Sequence, residues 1–374
     1  NSMTALAAKL HAAPWQGVFY ITGGGASLIS QLLEVPGASN TVLEATVPYA
    51  EKSLAQLLGK APEQAVATNT ARALAMTAFR RANVLADGKT FGFGASASLV
   101  TNREKKGQTR AHWAIQAAEF THSFSLLLDA QQSRSAQEAK LTQAFWWCIN
   151  WALLNPPKAD ADADLALEST AKIEIQSHIA QKQWQPLLQA SPHTWCTGDH
   201  DGKLLLPGSF NPIHQGHEDM LKVAESITGL KGAFELTLRN ADKPDIDFLS
   251  TAERLANIKH HDVWLTNLSN FSAKAAAFPG ATFALGTDTL ARIGQLKFYA
   301  GDAKRHEQAL QALANLETKF LVFGRVNDDG DDFITFEDLD LPPVLMQLCQ
   351  GVPVSQYRND TSSSAIRSAA RNKP

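Results

Sequence analysis

His214 and His217 stand three residues apart in the stretch LLLPGSFNPIHQGH, residues 204–217. At that spacing on a helix entrance both imidazoles face one point. Gly208, Ser209, Phe210 and Asn211 precede them in a turn whose backbone N–H groups can approach an anion closely. A helix that follows such a turn aims its positive end at the same place. The chemistry of this pattern is the binding of a phosphate group and the stabilisation of charge on it.

The elements that must hold these residues can be read from the flanking pattern. Leu204, Leu205 and Leu206 form a short buried strand, Pro207 and Gly208 stop it, and residues 218–227 carry the apolar spacing of an amphipathic helix. Strand and helix then alternate. Residues 234–238 (FELTL) lead into Asn240 and Lys243, and residues 249–258 form a helix with Ser250 or Thr251 as N-cap and Glu253 in its first turn. Strands follow at 263–265, at 282–285 and at 320–324 with Arg325 at its end. The alternation predicts parallel β-α-β units in a doubly wound sheet. Ligands in such sheets bind at the carboxyl ends of the strands, so Asn240 and Lys243 are expected in the same crevice as His214. Gly286 and Asp288 stand just past a buried strand, which places Asp288 on the ribose or base of a ligand. Near the C-terminus, Ser362, Ser363 and Ser364 can cap a final helix while facing an anion, with Arg367 one turn on.

These motifs resemble the nucleotidylyltransferase superfamily, whose signatures are a Gly-x-Phe-x-Pro turn, His-x-Gly-His and a C-terminal Ser-Ser/Thr-x-x-Arg. They stand here as Gly208, Phe210 and Pro212, then His214, Gly216 and His217, then Ser363, Ser364 and Arg367. The resemblance implies in-line attack of a substrate phosphate on the α-phosphate of a nucleoside triphosphate, with release of pyrophosphate. His214, His217, Arg367 and Mg²⁺ would neutralise charge, with Lys243 assigned to help them. Gly208, Ser209, Phe210, Asn211, Gly216, Gly286, Asp288, Ser363 and Ser364 would bind the nucleotide. Among the family's branches, the order Asn-x-x-Lys-Pro, tryptophan-bearing strand, Gly-x-Asp and Ser-Ser-x-x-Ile-Arg looks most like the nicotinamide or nicotinate mononucleotide adenylyltransferases. Asn240, Trp264 and Arg325 would then meet the acceptor; Trp264 either stacks on a pyridine ring or belongs to the core. Two alternatives are a cytidylyltransferase acting on a phosphorylated alcohol and a non-catalytic nucleotide-binding protein.

The N-terminal half reads differently. A strand at 17–21, the turn Thr22-Gly23-Gly24-Gly25 and a helix at 26–33 precede Val35-Pro36-Gly37, Val47-Pro48-Tyr49 and Leu57-Leu58-Gly59. A helix at 68–79, a small-residue strand at 91–98 and Glu104-Lys105-Lys106-Gly107 follow. Over residues 14–154 this resembles the C-terminal domain of the CinA family, which includes nicotinamide mononucleotide deamidases. The family's nucleophilic serine falls on Thr22 and its lysine on Leu54, while Tyr49 is retained. A hydroxyl nucleophile needs a base or cation, so a lost deamidase is expected. Residues 143–154, with Phe145, Trp146, Trp147 and Trp151, are expected to form a buried helix or a subunit interface rather than a ligand platform.

The chain thus divides into residues 3–155 as a CinA-like α/β domain, 156–196 as linker and bridging helix, and 197–374 as a Rossmann-like nucleotidylyltransferase domain. Within the middle part, 158–164 (KADADAD) reads as linker and 165–185 as helix. The whole arrangement resembles a group of plant and bacterial proteins that join a CinA-like to a cytidylyltransferase-like domain.

Length and composition bound the rest. The 374 residues are 44% hydrophobic and 19% charged, which suits a soluble protein of about two domains. A net charge of −3 and a pI near 6.4 give no basic face for nucleic acid. Cys148, Cys196 and Cys349 lack metal-ligand spacing and read as reduced cytoplasmic thiols. No membrane span or leader pattern is seen, and Asn1 and Ser2 ahead of Met3 read as a cloning remnant. The acidic run at 327–332 fails the EF-hand ligand pattern and reads as a solvated hairpin. No metal site built by the protein alone is expected, the partners are ATP or CTP with a small phosphorylated acceptor, and a homo-oligomer is expected from the CinA resemblance.

Overall fold

The structure is a computed structural model. It describes residues 2–101, 109–155, 164–167, 171–240, 243–295, 299–327, 330 and 332–357. By contact the chain forms two units, Asn1–Gln185 with Asn240–Thr251, and Pro186–Arg239 with Ala252–Pro374.

The first unit is built on a seven-stranded mixed sheet. Its elements are α1 (Ser2–Ala12), β1 (Trp15–Gly23), α2 (Ser27–Leu33), β2 (Val42–Thr46), α3 (Glu51–Leu58), α4 (Thr68–Leu85), β3 (Lys89–Ala97), β4 (Arg110–Ala117), β5 (Phe120–Leu127), α5 (Arg134–Ile149), β6 (Asp164–Leu167) and β7 (Ala171–Ile179). The strand order is β2-β1-β3-β4-β5-β7-β6. β2, β1 and β3 run parallel, and the remaining pairs are antiparallel. On one face Phe19, Phe93, Trp113, Phe124 and Phe145 pack as a buried aromatic core. The other face receives α4 so closely that a Cβ at Gly92 would lie 2.1 Å from the Ala75 carbonyl oxygen. A side chain there would push the helix off the sheet.

One sequence expectation in this unit changes. The described residues of 165–185 do not form one bridging helix: β7 pairs with β5 and β6 with β7, extending the sheet, and a short 3₁₀ helix follows at Lys182–Leu188. The physical reason is the alternation in β7, where Ile173 and Ile175 are buried and Lys172, Glu174 and Gln176 are exposed, a period of two. The linker reading of 158–164 lies almost wholly outside the described residues. By contact the first unit runs to Gln185 and takes in Asn240–Thr251. The tryptophan-rich stretch behaves as a buried helix. Trp146 is 1% exposed and donates its indole N–H to Gln31 Oε1 at 2.8 Å, and Trp151 packs edge-on against Phe124.

The second unit carries β8 (Thr194–Cys196), β9 (Leu204–Pro207), α6 (Gln215–Thr228), β10 (Ala233–Thr237), α7 (Phe248–Asn257, shared with the first unit through its first residues), β11 (Val263–Thr266), α8 (Phe271–Ala277), β12 (Thr282–Gly286), α9 (Thr287–Gly294), α10 (Ala303–Asn315), β13 (Lys319–Phe323), the hairpin β14 (Arg325–Val326) and β15 (Phe333–Ile334), α11 (Pro343–Met346) and β16 (Cys349–Gly351). Its main sheet has the order β16-β13-β12-β9-β10-β11-β8, parallel except for the edge strand β8. The strands are continuous apolar runs such as Phe320–Phe323 because both faces are covered. From β9 the chain winds outward to β11, returns to β12 on the other side of β9, and winds outward again. This is the doubly wound order, with its reversal between β9 and β12. The expected cap of α7 also changes: Asp247, not Ser250 or Thr251, accepts a first-turn N–H, from Ser250 at 2.8 Å. Residues 320–324 are followed by a further strand, β16.

Among the described residues no helix is long and apolar enough to cross a membrane. The three cysteines are free.

Candidate active site

The reversal between β9 and β12 sets two strand ends side by side. Leu204 pairs with Thr282 and Leu205 with Phe283, so the turn after β9 and the turn after β12 open on the same edge of the sheet. This is where an open α/β sheet binds its ligand.

The turn after β9 is shaped by close packing. Phe210 adopts φ 47° and is 1% exposed, with its ring edge-on to Phe234 at 4.9 Å and to His217 at 5.1 Å. A Cβ at Gly208 would come within 2.8 Å of the Phe210 ring, which is why glycine stands there. Phe210 was expected to touch the nucleotide; the structure makes its side chain a brace for His217 and leaves only its backbone for a ligand. Ser209 is exposed, and its carbonyl oxygen accepts Arg254 Nη1 from α7 at 3.0 Å.

His214 is the N-cap of α6 and His217 lies in its first turn. Nδ1 of His217 accepts the His214 backbone N–H at 3.1 Å, and the rings stack at 3.8 Å with an interplanar angle of 23°. A neutral ring that accepts at Nδ1 carries its proton at Nε2, so His217 presents an Nε2–H donor beyond the helix start. Burial, and then the neighbouring His214, lower His217 to about 4. Burial lowers His214 as well. Both imidazoles are therefore neutral at pH 7, and an arriving polyanion meets their N–H dipoles together with the positive end of a 14-residue helix.

The turn after β12 supplies the facing wall. Gly286 caps α9 and has open space where a Cβ would stand. Thr287 is 2% exposed, and its hydroxyl has no hydrogen-bond partner among the described residues. Asp288 accepts Arg325 Nε at 3.0 Å, joining the second residue past β12 to the second residue past β13.

Two residues that carried no motif also reach this site. Tyr357 donates its hydroxyl to the Gly216 carbonyl oxygen at 3.1 Å, and its ring stands edge-on to Phe323 at 4.9 Å. Burial, then Asp219, push its phenol up to about 12, so it stays a donor. Arg254 holds Ser209 as described. Neither shows a spacing in the sequence, because each bonds a distant backbone carbonyl.

The structure thus gathers Gly208, Ser209, Phe210, Asn211, His214, Gly216, His217, Gly286, Asp288 and Arg325 on one edge of the second unit's sheet. Ser363, Ser364 and Arg367 lie outside the described residues. Trp264 does not join the group: it packs edge-on against Phe278 at 5.0 Å and gives its indole N–H to His200 Nδ1 at 3.0 Å, both on the elements entering the sheet from its other edge. Asn240 and Lys243 belong by contact to the first unit. Asn240 spends its N–H on Asp245 Oδ1 at 3.1 Å and its side-chain amide on the Pro244 carbonyl at 3.3 Å, while Lys243 is exposed. Among the described residues no group of three metal-ligating side chains is assembled.

In the first unit, the Thr22 hydroxyl is nearly buried and donates to the Pro48 carbonyl at 2.9 Å. Leu54 is 3% exposed in the core between α3 and α4. Tyr49 is exposed. The glycine turn is closed by Glu138, which accepts from Gly25 N, Ser27 N and Ser27 Oγ at 2.5, 3.1 and 2.6 Å.

No curated protein matches the chain. Solved structures similar to it include the competence/damage-inducible protein CihA of Agrobacterium tumefaciens, 17% identical, covering 40% of this chain and 94% of that one with a TM-score of 0.34. A competence or damage-inducible protein of Enterobacter asburiae is 16% identical, covering 41% and 96% with a TM-score of 0.33. A CinA superfamily protein of Enterobacter cloacae is 15% identical, covering 39% and 88% with a TM-score of 0.32. Residues 205–369 match the family model described as cytidylyltransferase-like. The strand order of the second unit agrees with this match, and the chain carries a C-terminal cytidylyltransferase-like domain of Rossmann type.

Proposed function

We propose that the chain transfers a nucleoside monophosphate from ATP to nicotinamide or nicotinate mononucleotide, releasing pyrophosphate. The observation that carries the transfer is the His214–His217 arrangement: two neutral imidazoles fixed by the helix cap at the point where the doubly wound sheet opens. The acceptor phosphate attacks the α-phosphorus in line, the bond to the bridging oxygen breaks, and negative charge grows on the departing pyrophosphate. Catalysis of this kind is positioning and charge stabilisation. His217 Nε2–H and the N-terminus of α6 meet that charge, and Asp288 with Arg325 holds the nucleoside side. On sequence grounds Arg367, Ser363, Ser364 and Lys243 complete the neutralisation, and Mg²⁺ enters on the triphosphate.

The choice of a pyridine mononucleotide rests on the order of sequence motifs, now without Trp264. A cytidylyltransferase acting on a phosphorylated alcohol stands as the second reading because the family match is to cytidylyltransferase-like proteins. The bonded Thr22 hydroxyl and buried Leu54 support a first unit that does not hydrolyse amides.

Incubation of the full chain with Mg²⁺ and either ATP or CTP, in the presence of each mononucleotide or of a phosphorylated alcohol, followed by mass spectrometry, tests the reading. A dinucleotide formed from ATP and a pyridine mononucleotide supports it. A CDP-alcohol formed in its place moves the protein to the second reading.

A further inference from the structure

Inside the first unit a polar row crosses the sheet on the face that meets α4. Strand register sets it: Thr22 pairs with Ser96, Ser96 with His112, His112 with Ser125 and Ser125 with Glu174. Side chains of directly paired residues share a face, and Gly94, two residues before Ser96, touches α4. The row passes from buried Ser96 through half-buried His112 and Ser125 to exposed Glu174. Exposure therefore rises toward β7.

Ser125 Oγ stands 2.7 Å from His112 Nδ1, and Thr68 Oγ1 stands 3.2 Å from the same nitrogen. Thr68 is the first residue of α4, an 18-residue helix whose N-cap, Ala67, makes no side-chain bond to its first N–H groups. Ser96 and Thr70 donate their hydroxyls to the carbonyls of Ala65 and Gln64, which holds the chain entering α4 over the row. The start of a long helix thus stands beside a serine and a histidine in hydrogen-bond contact.

A serine hydroxyl becomes a nucleophile when a neighbouring base takes its proton. Burial, then Arg110, lower the proton affinity of His112, and Glu174 opposes them. The ring is therefore neutral at pH 7, while a carboxylate favours the imidazolium that proton transfer creates. Negative charge growing on an acyl oxygen would meet the positive end of α4. Glu174 is exposed and its help is screened by water, which fits an ester, whose alcohol leaves readily, better than an amide. The pair lies three strands from Thr22, about 14 Å at the usual strand spacing, so the missing nucleophile at the glycine turn does not bear on it.

We propose that Ser125 and His112 are the nucleophile and general base of a second catalytic site, one that hydrolyses small carboxylic esters. Ser125 Oγ attacks the ester carbonyl carbon as its proton passes to His112 Nδ1. The bond to the alcohol oxygen breaks, and that oxygen takes the proton from Nδ1. Water then attacks the acyl-serine and gives a proton to Nδ1; the acid departs as that proton returns to Ser125 Oγ. The site stands independently of the transfer reading above.

The test treats the full chain with a fluorophosphonate, which phosphonylates activated serines, and locates the adduct by peptide mass spectrometry. Hydrolysis of p-nitrophenyl acetate is followed alongside. Ser125→Ala removes one oxygen, and His112→Gln keeps a hydrogen-bonding group beside Ser125 that is no base. The parent is expected to carry the adduct on Ser125. Labelling should slow about 10²-fold or more in His112→Gln, and ester hydrolysis should fall about as far in Ser125→Ala. Should a variant not fold, labelling of the parent at Ser125 and its suppression by excess p-nitrophenyl acetate decide the matter. No adduct on Ser125 in the parent, labelling equally fast in folded His112→Gln, or hydrolysis equal in parent and Ser125→Ala overturns the proposal.

Discussion

Nδ1 of His217 accepts the backbone N–H of His214 at 3.1 Å, so one ring both caps α6 and offers its opposite nitrogen to a ligand. The two tasks can be separated by substitution. Asparagine places its side-chain oxygen near the position of Nδ1 and has nothing at Nε2; alanine has neither. His217→Asn should therefore keep stability close to the parent while turnover falls about 10²–10³-fold, the usual cost of losing one donor to developing charge. His217→Ala should lose turnover to a similar degree and also about 1 kcal/mol of stability from the missing cap. Steady-state kinetics with thermal melts read both.

The same rings, with His122 of the first unit, set an acid limit. His217 is lowered to about 4 and His122 to about 3, the latter by burial, against an ordinary value near 6.5. The unfolded chain therefore binds more protons than the folded one below pH 6.5. Stability is fully present above that value and is lost as pH falls through 6.5 toward the folded values. Urea midpoints should fall between pH 7 and pH 4.5. His122→Phe, which keeps the contact with Phe120 and removes one titrating group, should make that fall shallower.

Asp288 and Arg325 form an exposed pair, with side chains 76% and 39% accessible. Pairs of this kind add little stability, about 0–1 kcal/mol. Asp288→Asn should leave the melting temperature close to the parent's. The loss of a charged hydrogen-bond acceptor, about 1.5–3 kcal/mol, should raise KM for the triphosphate roughly ten- to a hundredfold.

Glu235 on β10 is fully buried and takes Lys274 Nζ at 2.6 and 2.8 Å and the Thr266 hydroxyl at 2.6 Å. Removing one member strands a charge in the sheet's interior, so Glu235→Ala should cost about 3–5 kcal/mol. Glu235→Leu with Lys274→Met should cost much less. Urea unfolding of the two variants measures the difference.

The second unit was legible in the sequence because its parallel strands are unbroken apolar runs, and because the residues that act stand directly after them. Gly208, His214, Gly286, Asp288 and Arg325 could each be placed by counting from a strand end. Trp264 illustrates the opposite case: an aromatic on a strand looks the same whether it meets a ligand or, as here, Phe278 and His200. β7 falls within residues 165–185, expected as a helix ended by Pro186, although Ile173 and Ile175 already alternate with polar residues. Tyr357 and Arg254 left no trace, since a side chain bonded to a carbonyl oxygen 141 or 45 positions away has no spacing to betray it. The same holds for Arg72 and Asp247, paired across 175 positions.

Pyrophosphate release, measured for the parent and His217→Asn with Mg-ATP and Mg-CTP against nicotinate mononucleotide, nicotinamide mononucleotide and no acceptor, tests the central claim most directly. The account predicts release from ATP that requires a pyridine mononucleotide and is nearly abolished in the variant. Release that is equal in parent and variant, or absent with every nucleotide and acceptor, would contradict it.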